Sequence, residues 1–105
     1  MSNAKTEFLG EVEGKTVKCA VVKYGAYELF TAEYFLQCNY TRAEYDAFLQ
    51  SLDFEYHDGF GTQELFGTIW YTDGTWSERY EYDGRENWVQ KEIPVIPPDL
   101  IRTVQ

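Results

Sequence analysis

One histidine, two cysteines, three prolines and nine lysines or arginines are all that 105 residues offer of types on which many sites depend. With a single imidazole and no Gly-x-Ser-x-Gly elbow, no nucleophilic triad can be recognised. There is no zinc-finger spacing: Cys19 and Cys38 are not a closely spaced pair, and one histidine cannot complete a set of two cysteines and two histidines. Gly59-Phe60-Gly61 lacks the third glycine and the strand-then-helix setting of a phosphate loop. No apolar run approaches the ~20 residues needed to cross a bilayer, and no charged-then-apolar leader opens the chain. These absences predict a soluble, cytoplasmic, non-enzymatic protein without membrane contact or cofactor. Cys19 and Cys38, read as a disulfide, would place the chain in an oxidising compartment. Nothing else does, so the expectation is two free thiols packed as small hydrophobes.

Cations are scarce relative to anions: nine against 18 acidic residues, a net charge of −9. The imbalance is local. Residues 1–23 hold four lysines against three glutamates, whereas residues 24–90 hold three arginines against thirteen carboxylates. Such a surface repels nucleic acid, which is bound by replacing phosphate counterions with Lys and Arg. What the chain has in quantity is aromatic side chains, nineteen in all. Each can bury on the order of 150–250 Å², enough to build the thin core of one small domain spanning residues 1–105.

The secondary-structure signals come in sequence order. Phe8–Glu13 and Thr16–Tyr24 read as two strands joined near Gly14, the second alternating Val17, Cys19 and Val21 with Lys18, Ala20 and Val22. Ser2-Asn3-Ala4 reads as a frayed start. Tyr27–Gln37 allows two readings: Phe30, Ala32, Tyr34 and Leu36 alternate as in a third strand, which is the reading favoured, while the Ala and Glu content allows a helix. Asn39-Tyr40-Thr41 matches a glycosylation pattern, but Thr41 has a better use. With Glu44 it forms a capping box, and Tyr40 and Tyr45 sit at the positions of a hydrophobic staple. Tyr45, Phe48, Leu49 and Leu52 give the helix behind that cap one apolar stripe. Asp53–Gln63 follows as a loop or short strand. Asp73-Gly74 and Asp83-Gly84 then punctuate a three-stranded meander, since both central residues of a type I′ turn need positive φ. Residues 94–105, with their prolines, should run extended over the surface. The order β-β-β-α-β-β-β, about six strands, predicts an α+β fold with one helix on a mostly antiparallel sheet.

Taken as two-residue turns, both Asp-Gly pairs fix a register. Tyr71 then faces Trp76 and Ile69 faces Glu78, which puts Leu65, Ile69, Tyr71, Trp76, Tyr80 and Tyr82 on one face as core. Arg79 faces Trp88 in a cation–π pair. Trp70, Arg79, Glu81, Glu86 and Trp88 fall on the opposite face, and these five are the candidate partner-binding residues. An acidic, aromatic sheet face suits a protein with a basic surface, and self-association is the simplest variant of the same idea. A charge mimic of nucleic acid, as used by small phage or mobile-element inhibitors, and a carbohydrate platform are rival readings. The weakest rival is a carboxylate-dependent enzyme in which Glu78, half-buried beside Tyr80, would carry a raised pKa. Asp53, Glu55 and His57 would project to one side of an extended segment, as metal ligands do, but a solvated polar loop accounts for them better.

Overall fold

The computed structural model of the chain describes residues 1–57, 59 and 61–101. Its first helix replaces an expected strand. Asn3 accepts a hydrogen bond from the Thr6 N–H at 3.0 Å and so caps α1 (Ala4–Val12), whose buried residues Ala4, Phe8 and Val12 recur every fourth position. That spacing is helical, and the strand predicted over Phe8–Glu13 ignored it. The supposedly frayed start also forms β1 (Ser2–Asn3), which pairs with β4 (Glu55–Tyr56) in a two-stranded ladder.

β2 (Val17–Ala26) and β3 (Leu29–Leu36), the second and third of the expected strands, pair with each other as a hairpin, with a bulge at Tyr24/Gly25. The capping box then opens α2 (Arg42–Ser51) as predicted. Thr41 Oγ1 accepts from the Glu44 N–H at 3.1 Å, and a Glu44 carboxylate oxygen accepts from the Thr41 N–H at 2.9 Å. Tyr40 and Tyr45 stack with centroids 5.4 Å apart, completing the staple. Phe48 and Leu52 are buried. The meander follows as β5 (Leu65–Tyr71), β6 (Trp76–Tyr82) and β7 (Arg85–Lys91).

These elements make an α+β fold with a five-stranded antiparallel sheet in the order β3-β2-β5-β6-β7. The expectation of six strands and one helix becomes five strands in the main sheet, two in the small ladder, and two helices. Both helices lie on the same face: α2 against β3, α1 against β7, and each against the other. Phe8 of α1 meets Phe48 of α2 and Trp88 of β7 edge-to-face, at 5.4 and 6.3 Å. Beyond β7, residues 92–97 are exposed and irregular, and Pro98–Leu100 forms one 3₁₀ turn. The rest of the predicted extended segment, residues 102–105, lies outside the described residues.

One turn decides what the sheet presents. At Asp83-Gly84 both φ angles are positive (54° and 81°), the two-residue turn expected, and Arg79 pairs with Trp88. At Asp73-Gly74 only Gly74 has positive φ. The Tyr71 N–H donates to Thr75 O at 2.9 Å, enclosing a three-residue loop, Thr72-Asp73-Gly74. Asp73 Oδ1 accepts from both the Thr75 N–H (2.9 Å) and Thr75 Oγ1 (2.6 Å), which fixes that geometry and holds the Asp73 carboxyl below its usual range. The pairing therefore becomes Ile69 with Ser77 and Trp70 with Trp76. A slip of one residue moves every side chain of β6 and β7 to the other face relative to β5.

Candidate functional site

The slip exchanges the two faces of the meander. Arg79, Glu86 and Trp88, expected on a binding surface, are buried under the helices, while Trp76, Tyr80 and Tyr82, expected in the core, lie on the uncovered side. Of the five candidate residues, Trp70 and Glu81 are exposed, and only Trp70 stands on the open face.

Inside, Arg79 organises a polar centre. Its Nη2 donates to Glu86 Oε1 at 3.0 Å and to the Tyr56 hydroxyl at 2.8 Å. Tyr56 in turn donates to the Glu7 carboxylate. Glu86 also accepts from the backbone N–H groups of Glu64 and Leu65, at 2.8 and 2.9 Å. The ion-paired side chains are 1% and 2% exposed. The guanidinium lies over the Trp88 and Tyr56 rings at 5.3 and 5.6 Å, which gives π contact to a group whose Nη1 has no hydrogen-bond partner among the described residues. The expected cation–π pair is thus present, but as core. Burial, then the Glu7 contact, pushes the Tyr56 hydroxyl well above the usual tyrosine range.

Trp88 fits because β5 makes room. A Cβ on Gly67 would stand 2.3 Å from Val21 O and 3.2 Å from the Trp88 ring, and Gly67 holds φ at +156°. A second buried chain links α1 to the sheet: Ser77 Oγ donates to Glu11 Oε2 at 2.6 Å, and the Tyr71 hydroxyl donates to Ser77 at 2.7 Å.

The open face is ordered in rows across the strands. The central row runs Phe35, Val21, Thr68, Glu78, Val89. Beside it runs a second row of Cys19, Trp70, Trp76 and Lys91. On the other side Lys23 pairs with Glu33 on β3 and Phe66 on β5, and Phe66 meets Phe30 edge-to-face at 5.2 Å. Phe35 is 59% exposed, Tyr80 50% and Trp70 42%. The charges among them cancel in pairs, Lys23–Glu33 at 3.8 Å and Lys91–Glu78 at 3.2 Å. The face is therefore aromatic and locally neutral rather than acidic. At its margin stand four exposed acidic side chains, Glu28 in the β2–β3 turn, Asp73 and Asp83 in the two meander turns and Glu92 after β7, against two exposed cations, Lys18 and Arg85.

Three chemical readings meet specific geometry. Glu78 accepts from Trp76 Nε1 at 2.8 Å and from Lys91, and these contacts lower its pKa, the reverse of what a general acid there would need. Asp53 accepts from the Asn3 side chain, while Glu55 is exposed in β4 and His57 donates its backbone N–H to Glu64. Among the described residues no group of three or more His, Cys, Asp or Glu could hold a metal ion; Asp58, like Phe60 of the Gly-Phe-Gly stretch, lies outside them. His57 and Glu86 line one open hollow of about 810 Å³, yet both Glu86 oxygens are committed to Arg79 and to backbone N–H groups.

Sequence reasoning missed Trp76, Phe35 and Tyr80 as surface residues. For Trp76 and Tyr80 the signal is the threonine after Asp73-Gly74, whose hydroxyl and N–H favour the longer turn. For Phe35 it is the alternation of β3 itself, which sets it opposite in face to Tyr34 and Leu36. Compared with family models, with curated proteins and with solved structures, the chain finds no match in any of the three.

Proposed function

We propose that this is a non-enzymatic binding protein that engages another protein through the open face of its sheet. One observation carries the reading: an aromatic sheet face, centred on Trp70, Trp76, Phe35 and Thr68, that neither helix covers. Strands about 4.8 Å apart and about 3.3 Å per residue give five strands, each counted over about seven residues, a face of roughly 550 Å². Covering it would remove roughly 1,100 Å² counting both partners, which clears the ~1,000 Å² of a specific interface. Aromatic side chains with low rotamer freedom are the groups that dominate binding energy at such centres.

Charge selects the partner's chemistry. Internally paired lysines and glutamates leave the centre neutral, and the carboxylates at the margin sit within an overall charge of −9. A partner with an apolar centre and a basic margin is complementary to that pattern, whereas two copies would bring acidic margins together. A photo-activated cross-linking residue placed at Phe35 or, as a control on the far layer, at exposed Gln50 of α2 tests this in the organism's own extract. The expected product is an adduct with a different, basic polypeptide at position 35 and none at 50. Adducts with a second copy of this chain, equal adducts at both positions, or none at either would refute it.

A further inference from the structure

The two cysteines, far apart in sequence, come together at one end of the open face. β2 carries Cys19 at a bulge, where the pairing with β5 shifts register between Val17 and Cys19. Cys38 lies two residues past Leu36, the last residue of β3, and Leu36 pairs with Ala20 beside Cys19. That register sets the two thiols as near neighbours across the β2–β3 hairpin, close enough that Cys38 perturbs the ionisation of Cys19. Both are free. They share a hollow of about 280 Å³ with Lys18, Trp70 and Thr75.

We propose that Cys19 and Cys38 form a dithiol site that takes a low-molecular-weight disulfide as substrate and closes into an intramolecular disulfide. Exposure assigns the order of events: Cys38 is exposed and Cys19 half-buried. The Cys38 thiolate attacks one sulfur of the small disulfide, whose S–S bond breaks and releases one small thiolate. Cys19, its proton lost to solvent, then attacks Cys38 Sγ. The mixed disulfide breaks and the second small thiolate leaves, each leaving thiolate taking up a proton from water. Two protein thiols are oxidised and one small disulfide is reduced to two thiols. Burial, followed by the neighbouring Cys38, raises the Cys19 thiol, which suits the resolving position, while the Lys18 charge works in the opposite direction and eases formation of its thiolate.

The site adjoins the open face at Cys19 and Trp70 but does not rest on the binding reading, and its test reads sulfur chemistry alone. The full chain, reduced and freed of reductant, is incubated with oxidised glutathione and followed by intact mass and thiol count. The expected product is a monomer that has lost two thiols and two hydrogen atoms and regains both on reduction. Cys19→Ser should stop at the glutathione adduct on Cys38. Cys38→Ser, a change at an exposed position with the fold checked by circular dichroism, should react at least roughly tenfold more slowly. A stable glutathione adduct on the wild type, a disulfide between chains, or unchanged thiols would each overturn the proposal.

Discussion

Removing the Glu86 carboxylate should cost more stability than any surface change, and the structure sets the scale. In Glu86→Ala the Arg79 guanidinium, 1% exposed, loses its ion partner. Breaking one side of a buried pair typically costs about 3–5 kcal/mol, because a charge is left uncompensated. The N–H groups of Glu64 and Leu65 lose their acceptors as well, at about 1–3 kcal/mol for each group that water cannot reach. These contributions overlap, so a net loss of about 4–6 kcal/mol is expected, a large share of the ~5–15 kcal/mol that small domains possess. Glu86→Gln keeps the shape and one acceptor oxygen and should lose about 2–3 kcal/mol. The double variant Arg79→Met, Glu86→Leu removes both charges and should be less destabilised than the sum of its single changes, by about 2–3 kcal/mol of coupling. Glu81→Ala, the exposed neighbour across the hairpin, should lose under about 1 kcal/mol. Urea unfolding followed by tryptophan fluorescence measures all four. A loss below about 1 kcal/mol for Glu86→Ala, or strictly additive single changes, would refute the buried-centre account.

Two further outcomes follow from the same core. Gly67→Ala places a methyl group against Val21 O and the Trp88 ring in a backbone region that side chains rarely adopt, and should cost about 2–5 kcal/mol in thermal unfolding; a neutral result would contradict the tight approach of β2 and Trp88. Burial raises the hydroxyl pKa of both Tyr56 and Tyr71 in the folded chain. The unfolded chain releases these protons near pH 10 while the folded chain keeps them, so stability is full below that pH. It should then fall by up to about 1.4 kcal/mol per pH unit through Tyr56, with Tyr71 acting in the same direction. Urea midpoints that stay level up to about pH 11 would contradict this.

Much of the architecture was legible in local chemistry. Thr41 and Glu44 fix the start of α2, and positive φ at Asp83 and Gly84 fixes the β6–β7 register. For β3 the alternation within 27–37 outweighed an Ala and Glu content that also allows a helix. Two things were hidden. α1 carries Gly10 and charged residues between its three buried positions, so its helical period is weak and its cap at Asn3 is its clearest signal. The Asp73-Gly74 pair is compatible with two loop lengths, and the choice between them rests on the side chain of Thr75. That single ambiguity reversed the faces: Arg79, Glu86 and Trp88 became core, and Trp76 and Tyr80 became surface. Gly67 was the remaining clue, since a glycine inside a strand marks a close approach, here that of Trp88.

The most direct test of the open face is the solution mass, by light scattering after size exclusion, of wild type and of Thr68→Arg, each alone and mixed with the polypeptide cross-linked at position 35. Thr68 sits at the middle of the central row, where an arginine would be buried against the partner's apolar centre. The one carboxylate opposite, Glu78, is already paired with Lys91, so the added charge costs about 3 kcal/mol or more, roughly a hundredfold in affinity. The account predicts a wild-type monomer alone, a one-to-one complex with the partner, and a folded Thr68→Arg variant that remains monomeric in the mixture. A wild-type dimer, or a Thr68→Arg variant that forms the complex as well as wild type, would contradict it.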